Sequence, residues 1–189
     1  MKKLTLSFLI FLMSFSSNMG MSETLDDLIY HKGLYYKKLS DDPFSVSDIP
    51  FSGKTTGKYQ GAFKNCKQEG HWIYNSGSGL LHKGNYKNGR REGLWISNFP
   101  NGELGSIGSY KDGKKDGLWK DFINNGILSN LGKFKDGEYD GLWKRFYRNG
   151  KLMEKGIYLK GKKDGLWKHY YKDGTSMKVE TWKLGKKVE

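Results

Sequence analysis

The sequence predicts an all-β fold, an elongated array of tandem β-hairpins that together form one twisted antiparallel meander sheet. The first observation is a Gly-Leu-Trp triplet that recurs every 24 residues, with its glycine at positions 93, 117, 141 and 165. The second is a pair of glycine-containing turn signals in every repeat, separated by segments of about six to eight residues, the length of a strand. A period of this size indicates one supersecondary unit that is copied and stacked against its neighbours.

Residues 1–22 are predicted to be a secretory signal peptide. A basic start precedes an apolar run from Leu4 to Phe15, and small residues, among them Gly20 and Ser22, follow it. The run is too short to span a bilayer, so we expect cleavage near Ser22 and a mature protein that is periplasmic, in the cell envelope or secreted. An uncleaved N-terminal anchor is the alternative interpretation.

Residues 23–50 do not follow the repeat and are interpreted as a leader at the N-terminal edge of the sheet. Within them Leu25, Leu28 and Ile29 predict a short helix or a strand, and proline-containing turn signals follow. A cover at this edge would protect an otherwise open strand from pairing with other chains. The repeat pattern resumes after the leader, so the array is assigned to residues 51–189.

Two sets of turn signals alternate along the array. The first set is Asn101-Gly102, Asn125-Gly126, Asn149-Gly150 and Asp173-Gly174. The second set is Asn88-Gly89, Asp112-Gly113, Asp136-Gly137, Lys160-Gly161 and Leu184-Gly185. Asn-Gly and Asp-Gly are strong hairpin signals because both central residues of a type I′ turn need a positive φ angle. Both sets are therefore predicted to be two-residue turns.

The predicted turns fix the pairing register of the strands. A two-residue loop at Asn149-Gly150 places Arg145 opposite Glu154 and Tyr147 opposite Leu152. The same counting pairs the repeated tryptophans with glycines. The predicted pairs are Trp72–Gly84, Trp95–Gly108, Trp119–Gly132 and Trp143–Gly156.

These pairs predict where the indoles lie. A glycine has no side chain, so the indole can lie flat across the neighbouring strand, and we expect the tryptophans to form the core. An exposed ladder that stacks on sugars or choline-like groups is the alternative. The first unit is one residue shorter, and the deletion is assigned to its loop, Gly77-Ser78-Gly79. The last unit departs from the rule because Trp167 faces Glu180.

The full motif is longer than the triplet. Residues 108–119 read Gly-Ser-Tyr-Lys-Asp-Gly-Lys-Lys-Asp-Gly-Leu-Trp, and residues 125–128 read Asn-Gly-Ile-Leu. This pattern resembles the MORN repeat, specifically the bacterial variant often labelled the YwqK-type antitoxin family, and the resemblance covers residues 34–189. The resemblance implies a module for protein interaction or membrane association, a toxin as partner, and no catalytic residues.

No arrangement of residues predicts catalysis or metal binding. The four histidines match no metal-ligand spacing and are expected at the surface: His31, His71, His82 and His169. We therefore predict a protein that is not an enzyme and that uses no cofactor or metal. The single cysteine, Cys66, lies where other repeats place a turn glycine and is interpreted as a free thiol.

The chain is basic, with 33 Lys and Arg against 20 Asp and Glu and a formal charge of +13. Candidate binding residues lie at one row of turns or beside it: Arg90, Arg91, Lys114, Lys115, Lys144, Lys162, Lys163 and Lys168. Such a ridge attracts anionic phospholipid, wall polymers or an acidic protein, whereas the plainer interpretation is a solvated edge that keeps a sheet soluble. Nucleic acid is disfavoured because it conflicts with export.

These observations favour a non-enzymatic exported repeat protein that acts as a protein–protein interaction module, antitoxin-like if the resemblance extends to function. The reason is a repeat array without site chemistry. The alternative is a cell-envelope binder of anionic phospholipid or wall glycan, which predicts salt-sensitive sedimentation with anionic vesicles or wall material.

Overall fold

The structure is a computed structural model. It describes the backbone of residues 23–24, 28–31, 34–38, 46–50, 53–56 and 58–188, and the side chains of residue 28 and residues 58–188. The predicted signal peptide and its cleavage site near Ser22 lie outside the described residues. No helix in the described part of the chain is long and apolar enough to cross a membrane.

The described residues form seventeen strands. The first five are β1 (Glu23–Thr24), β2 (Leu28–His31), β3 (Leu34–Lys38), β4 (Val46–Pro50) and β5 (Gly53–Thr56). The next six are β6 (Tyr59–Lys64), β7 (Lys67–Asn75), β8 (Leu81–Lys87), β9 (Arg90–Asn98), β10 (Leu104–Lys111) and β11 (Lys114–Phe122). The last six are β12 (Leu128–Lys135), β13 (Glu138–Phe146), β14 (Leu152–Leu159), β15 (Lys162–Tyr170), β16 (Ser176–Lys183) and β17 (Lys186–Val188).

Strands β5 to β17 cross one sheet in chain order, each antiparallel to the next. The outermost strand on the other side of β5 is β1, which pairs with it in parallel. Strands β2, β3 and β4 form a separate three-stranded sheet. The predicted all-β meander of tandem hairpins is confirmed.

The leader packs at the N-terminal end of the array. Glu23 of β1 pairs with Thr55 of β5 at the sheet edge. Leu28 of β2 is buried against Phe63 and Trp72, the first indole of the array. The leader therefore adds both a strand and an apolar contact to the first repeat.

The second set of turns has the predicted geometry. Asn88 and Gly89 both have positive φ angles, 51° and 77°, and the other four turns of the set repeat this. Cys66 takes the glycine position of an equivalent turn, with a φ of 61°, and is a buried free thiol. Each turn glycine of the set also donates its N–H to the preceding repeat, as Gly113 does to the carbonyl of Arg91 at 2.9 Å. The turns thus stack along one edge.

The first set of turns differs from the prediction, because each loop has three residues. The N–H of Tyr147 donates to the carbonyl of Lys151 (2.8 Å), and the N–H of Gly150 donates to the carbonyl of Tyr147 (2.9 Å). Only Gly150 in this loop has a positive φ, as in three-residue hairpins that end in a left-handed glycine. Asn149 contributes its Oδ1, which accepts the N–H of Lys151 at 3.1 Å. The same bond recurs at Asn101, Asn125 and Asp173.

A β-bulge beside each of these loops restores the predicted register further along the strands. Arg145 pairs with Glu154 as predicted, but Leu152 pairs with Phe146 and not with Tyr147, so one residue of β14 is extra. The shorter first unit has no such shift between β7 and β8, and its loop also has three residues. The residue that the first unit lacks is therefore a bulge residue, and its assignment to the turn is wrong.

The four predicted tryptophan–glycine pairs are present in the register. Each indole, however, lies over the glycine of the preceding strand and not over the glycine of its own hairpin. A Cβ added to Gly132 would overlap the Trp143 ring, and one added to Gly108 would overlap the Trp119 ring. The glycines leave room for an indole, as predicted, but each serves the next tryptophan along the chain.

A second bulge produces this arrangement. Between two successive register pairs, β11 has three residues where β10 has one. The Gly-Leu-Trp triplet at 117–119 therefore faces Gly108 alone. Gly117 has a φ of 77°, which glycine adopts without strain. The bulge carries Trp119 back over Gly108.

The last unit has a glutamate in place of the glycine opposite its tryptophan for a physical reason. Trp167 pairs with Glu180, as predicted, but its indole lies over Gly156. No later Gly-Leu-Trp triplet follows in the sequence, so residue 180 carries a side chain without displacing an indole. At the other end of the array, the indole of Trp72 lies over Gly61.

The indoles form the core, which confirms that interpretation. They are at most 7% exposed: Trp72, Trp95, Trp119, Trp143 and Trp167. Aromatic rings of the paired strands alternate with them edge to face, as Tyr110 and Phe134 do on either side of Trp119, with centroids 5.1 and 6.1 Å away. The indole N–H of Trp119 donates to the carbonyl of Ser109 at 3.0 Å, so its burial leaves no donor unpaired.

Candidate functional site

The middle residue of each Gly-Leu-Trp triplet lies on the face opposite the indoles. These leucines are 50–58% exposed: Leu94, Leu118, Leu142 and Leu166. They recur on every second strand and so stand about 10 Å apart. Ile157 pairs directly with Leu142 and is 50% exposed. We name this surface, together with the lysines described next, the leucine face.

Lysines cross the leucine face in the adjoining row. Lys144 pairs with Lys155, and Lys155 pairs with Lys168 on the following strand. Like charges directly opposite each other destabilise a sheet. None of the ion pairs among the described residues includes these three lysines. The leucine face therefore combines exposed apolar groups with uncompensated positive charge.

The eight predicted binding residues do not form one ridge. Two lie on the leucine face, Lys144 and Lys168. Three are exposed at the turn edge, where their stems lie against the turn glycine of the next repeat: Arg90, Lys114 and Lys162. Three lie half-buried against the indoles: Arg91, Lys115 and Lys163. Successive strand residues point to opposite faces, which separates neighbours in the sequence.

Arg91 is held in place on the indole face. Its Nη1 donates to the hydroxyl of Tyr110 at 2.9 Å, and its Nη2 donates to the hydroxyl of Tyr74. The guanidinium carbon lies 4.6 Å from the ring centroid of Trp95. Burial raises the pKa of Tyr74 to about 12, so this phenol stays protonated and neutral at pH 7. Tyrosine hydroxyls and a ring orient the guanidinium, and no ion pair among the described residues includes it.

Lys115 lies in the same way over the next indole. Its Nζ is 4.0 Å from the ring centroid of Trp119 and 4.9 Å from that of Phe134. Burial lowers the pKa of Lys115. Lys163 repeats the contact over Trp167 at 3.9 Å. These cations lie over the rings of the aromatic core and shield them from solvent.

A row of polar side chains crosses the indole face, one from each strand from β8 to β15, and each member pairs with the next. The row is His82, Ser97, Ser106, Asp121, Asn130, Arg145, Glu154 and His169. The sequence predicts one pair of this row, Arg145 with Glu154, but not the row as a whole, although a signal was present: on alternate strands the member follows a triplet tryptophan by two residues.

At the C-terminal end of the row, Glu154 is buried in a network of ion pairs. Its carboxylate lies 3.0 Å from Arg145 Nη1, 3.5 Å from His169 Nδ1 and 3.8 Å from Lys163 Nζ. His169 also contacts Glu180 through Nε2 at 3.2 Å. The expectation of a surface histidine at 169 is wrong, because its register partner is this buried carboxylate.

Near the N-terminal end of the row two members are serines, Ser97 and Ser106, and a cavity of about 190 Å³ lies there on the indole face. Its polar lining includes His82, Ser97, Ser106, Arg91 and Lys115. Ser97 Oγ is 2.7 Å from His82 Nδ1, so this histidine too is part of a local contact and not a free surface group. Burial and the nearby Arg91 charge lower the pKa of His82, which keeps the imidazole neutral at pH 7.

The described residues hold no group of three His, Cys, Asp or Glu side chains that could bind a metal ion.

Comparison with known families agrees with this architecture. Three segments match the MORN repeat variant: residues 91–112, 139–160 and 163–183. No curated protein sequence shows significant similarity to the chain. These three segments are similar to MORN repeats, a class of repeat that commonly binds proteins or membrane lipids and generally is not catalytic.

Proposed function

We propose that the chain is an exported, non-enzymatic binding module that takes a protein partner on the leucine face. The observation that carries the proposal is the row of half-exposed leucines beside lysines that form no ion pair with any described residue. Contiguous exposed apolar groups mark interaction surfaces, and Leu142 forms such a group with its register partner Ile157. An antitoxin that neutralises a protein toxin is the specific form of this function that the family resemblance implies.

The leucine face indicates the chemistry of the partner. Its central row is positive, so a partner with acidic side chains gains favourable electrostatics on approach. Its leucines stand at fixed spacing on a sheet, which suits a partner with apolar side chains at matching positions. A fluid membrane does not require such spacing. The surface therefore favours an acidic and partly apolar protein over an anionic bilayer.

The test is crosslinked capture from an envelope extract with a double variant, Leu142→Asp and Leu166→Asp. We expect the parent to retain one protein that the double variant loses, because the substitutions place charge where apolar contacts form. Leu184→Asp is the matched control: Leu184 is 54% exposed but lies at a turn, outside the leucine face. Recovery of the same protein by all three chains would contradict the proposal.

Anionic vesicles are the second arm of this experiment. Sedimentation that depends on the leucine face and weakens with salt, without any captured protein, would replace the protein partner by the anionic lipid of the alternative hypothesis.

Export is tested by a separate measurement. We expect N-terminal sequencing of the envelope fraction to begin at residue 23, and an intact N-terminus confined to the cytoplasm would contradict export.

A further inference from the structure

Two cations line the cavity on the indole face. Arg91 and Lys115 border it from β9 and β11. Among the described residues, no ion pair includes either of them. Asp121 lies on the same face, and its negative charge acts on Lys115, but its carboxylate accepts from Asn130 Nδ2 at 3.4 Å and does not line the cavity. The charged lining is therefore cationic.

The chain contains an internal reference for this cavity two repeats further on. Lys163 is the repeat equivalent of Lys115, and Glu154 is the equivalent of Ser106. In that later repeat the Glu154 carboxylate is buried beside Lys163 at 3.8 Å. The fold thus accepts an oxyanion at this point of the indole face. At the earlier point Ser106 brings a hydroxyl in place of the carboxylate, and the cavity lies there.

We propose that this cavity binds a small oxyanion, a carboxylate or phosphate group, between Arg91 and Lys115. A guanidinium that tyrosine hydroxyls hold in place presents its remaining N–H groups in a fixed orientation, which suits contact with such a group. Lys115 adds a second charge, and the hydroxyl of Ser106 adds a donor. At about 30 Å³ per water-sized group, the volume holds roughly six such groups, enough for a phosphate or carboxylate.

This site lies on the face opposite the leucine face, so it stands or falls separately from the proposed function. Loss of partner capture in the leucine variants would leave the oxyanion site intact. Loss of oxyanion binding would equally leave partner capture on the leucine face intact.

The first experiment titrates the full chain with inorganic phosphate and, separately, with acetate, while amide NMR spectra are recorded. Sodium chloride at matched ionic strength is the control for general screening. We expect saturable shifts at Ser97, Ser106 and Lys115. The tighter of the two anions identifies whether phosphate or carboxylate chemistry is preferred. Shifts that chloride reproduces in full would overturn the proposal.

Two variants locate the site. Lys115→Gln should weaken binding about tenfold or more, because it removes a charged contact. The chain already tolerates glutamine at this repeat position, where Gln68 stands in the first unit. Lys163→Gln is the matched control and should leave the affinity unchanged.

Ser106→Glu provides a gain-of-contact test. It imitates the later repeat, so its carboxylate should exclude added phosphate or acetate and raise the melting temperature. Equal weakening by Lys115→Gln and Lys163→Gln, or undiminished binding in Ser106→Glu, would overturn the assignment.

Discussion

Two kinds of glycine hold each repeat together, for different physical reasons. Gly117 has a positive φ that permits the bulge, whereas Gly132 has no positive φ and lacks room for a side chain. An indole can bury roughly 150–250 Å². A glycine beneath it allows this burial because no side chain keeps the ring away from the backbone. The two roles predict different costs for the same substitution.

Gly132→Ala should destabilise the fold by about 1–3 kcal/mol, because the new methyl group must displace the Trp143 ring. Urea denaturation measures the change. Gly77→Ala is the control, since Gly77 has no positive φ and no atom within 4 Å of an added Cβ. It should change stability by less than about 0.5 kcal/mol. Equal effects of the two substitutions would show that the indole does not cover Gly132.

The sequence predicts which residues pair but not which indole covers a glycine. Counting from a turn gives the register inside one hairpin, and it correctly pairs Trp119 with Gly132. The cover comes from the next hairpin, where the bulge at Gly141 brings Trp143 back over the same glycine. Counting the residues of the turns does not reveal this bulge. Only the structure shows that each glycine is covered by the indole of the next hairpin.

At the scale of the hairpin, asparagine serves the two kinds of turn differently. Asn88 adopts a positive φ in a two-residue turn, whereas Asn149 has no positive φ and offers its side chain as an acceptor. Asn149 Nδ2 also donates to the carbonyl of Lys172 in the next repeat at 2.8 Å. The same Asn-Gly dipeptide therefore encodes two loop lengths, which explains why the first set of turns was not predictable from composition.

Glycine substitution separates the two roles. Asn149→Gly should lower stability by about 0.5–1.5 kcal/mol, because it removes both side-chain hydrogen bonds. Asn88→Gly should be close to neutral, since glycine adopts the required φ readily. Thermal or urea unfolding measures both. If Asn149→Gly left the stability unchanged, the result would contradict the three-residue loop and favour the predicted two-residue turn.

At the scale of the molecule, the array is a one-dimensional stack with two different faces. One face carries the indoles, the polar row and the cationic cavity, and the other carries the leucines and lysines. The sequence proposes basic residues as candidates for binding, but it does not assign them to the two faces or the turn edge. Arg90 and Arg91 are neighbours in the sequence, yet one lies at the turn edge and the other against Trp95.

A stack of this kind should tolerate the loss of one whole period. Deletion of residues 117–140 joins Asp116 to Gly141 and recreates the triplet, so we expect a shorter array that still unfolds cooperatively. Deletion of residues 117–141 is the matched control. It removes the triplet glycine and shifts the strand by one position, which turns Trp143 away from the core. Circular dichroism melts distinguish them, and similar melts would argue against in-register stacking.

The most direct measurement of the central claim is the NMR chemical shift of the Gly132 Hα protons. An indole that lies over this glycine shifts them upfield through its ring current. We predict that Trp143→Leu abolishes the upfield shift and that Trp119→Leu leaves most of it in place. Loss of the shift in Trp119→Leu with retention in Trp143→Leu would contradict the account, because each glycine would then be covered by the indole of its own hairpin.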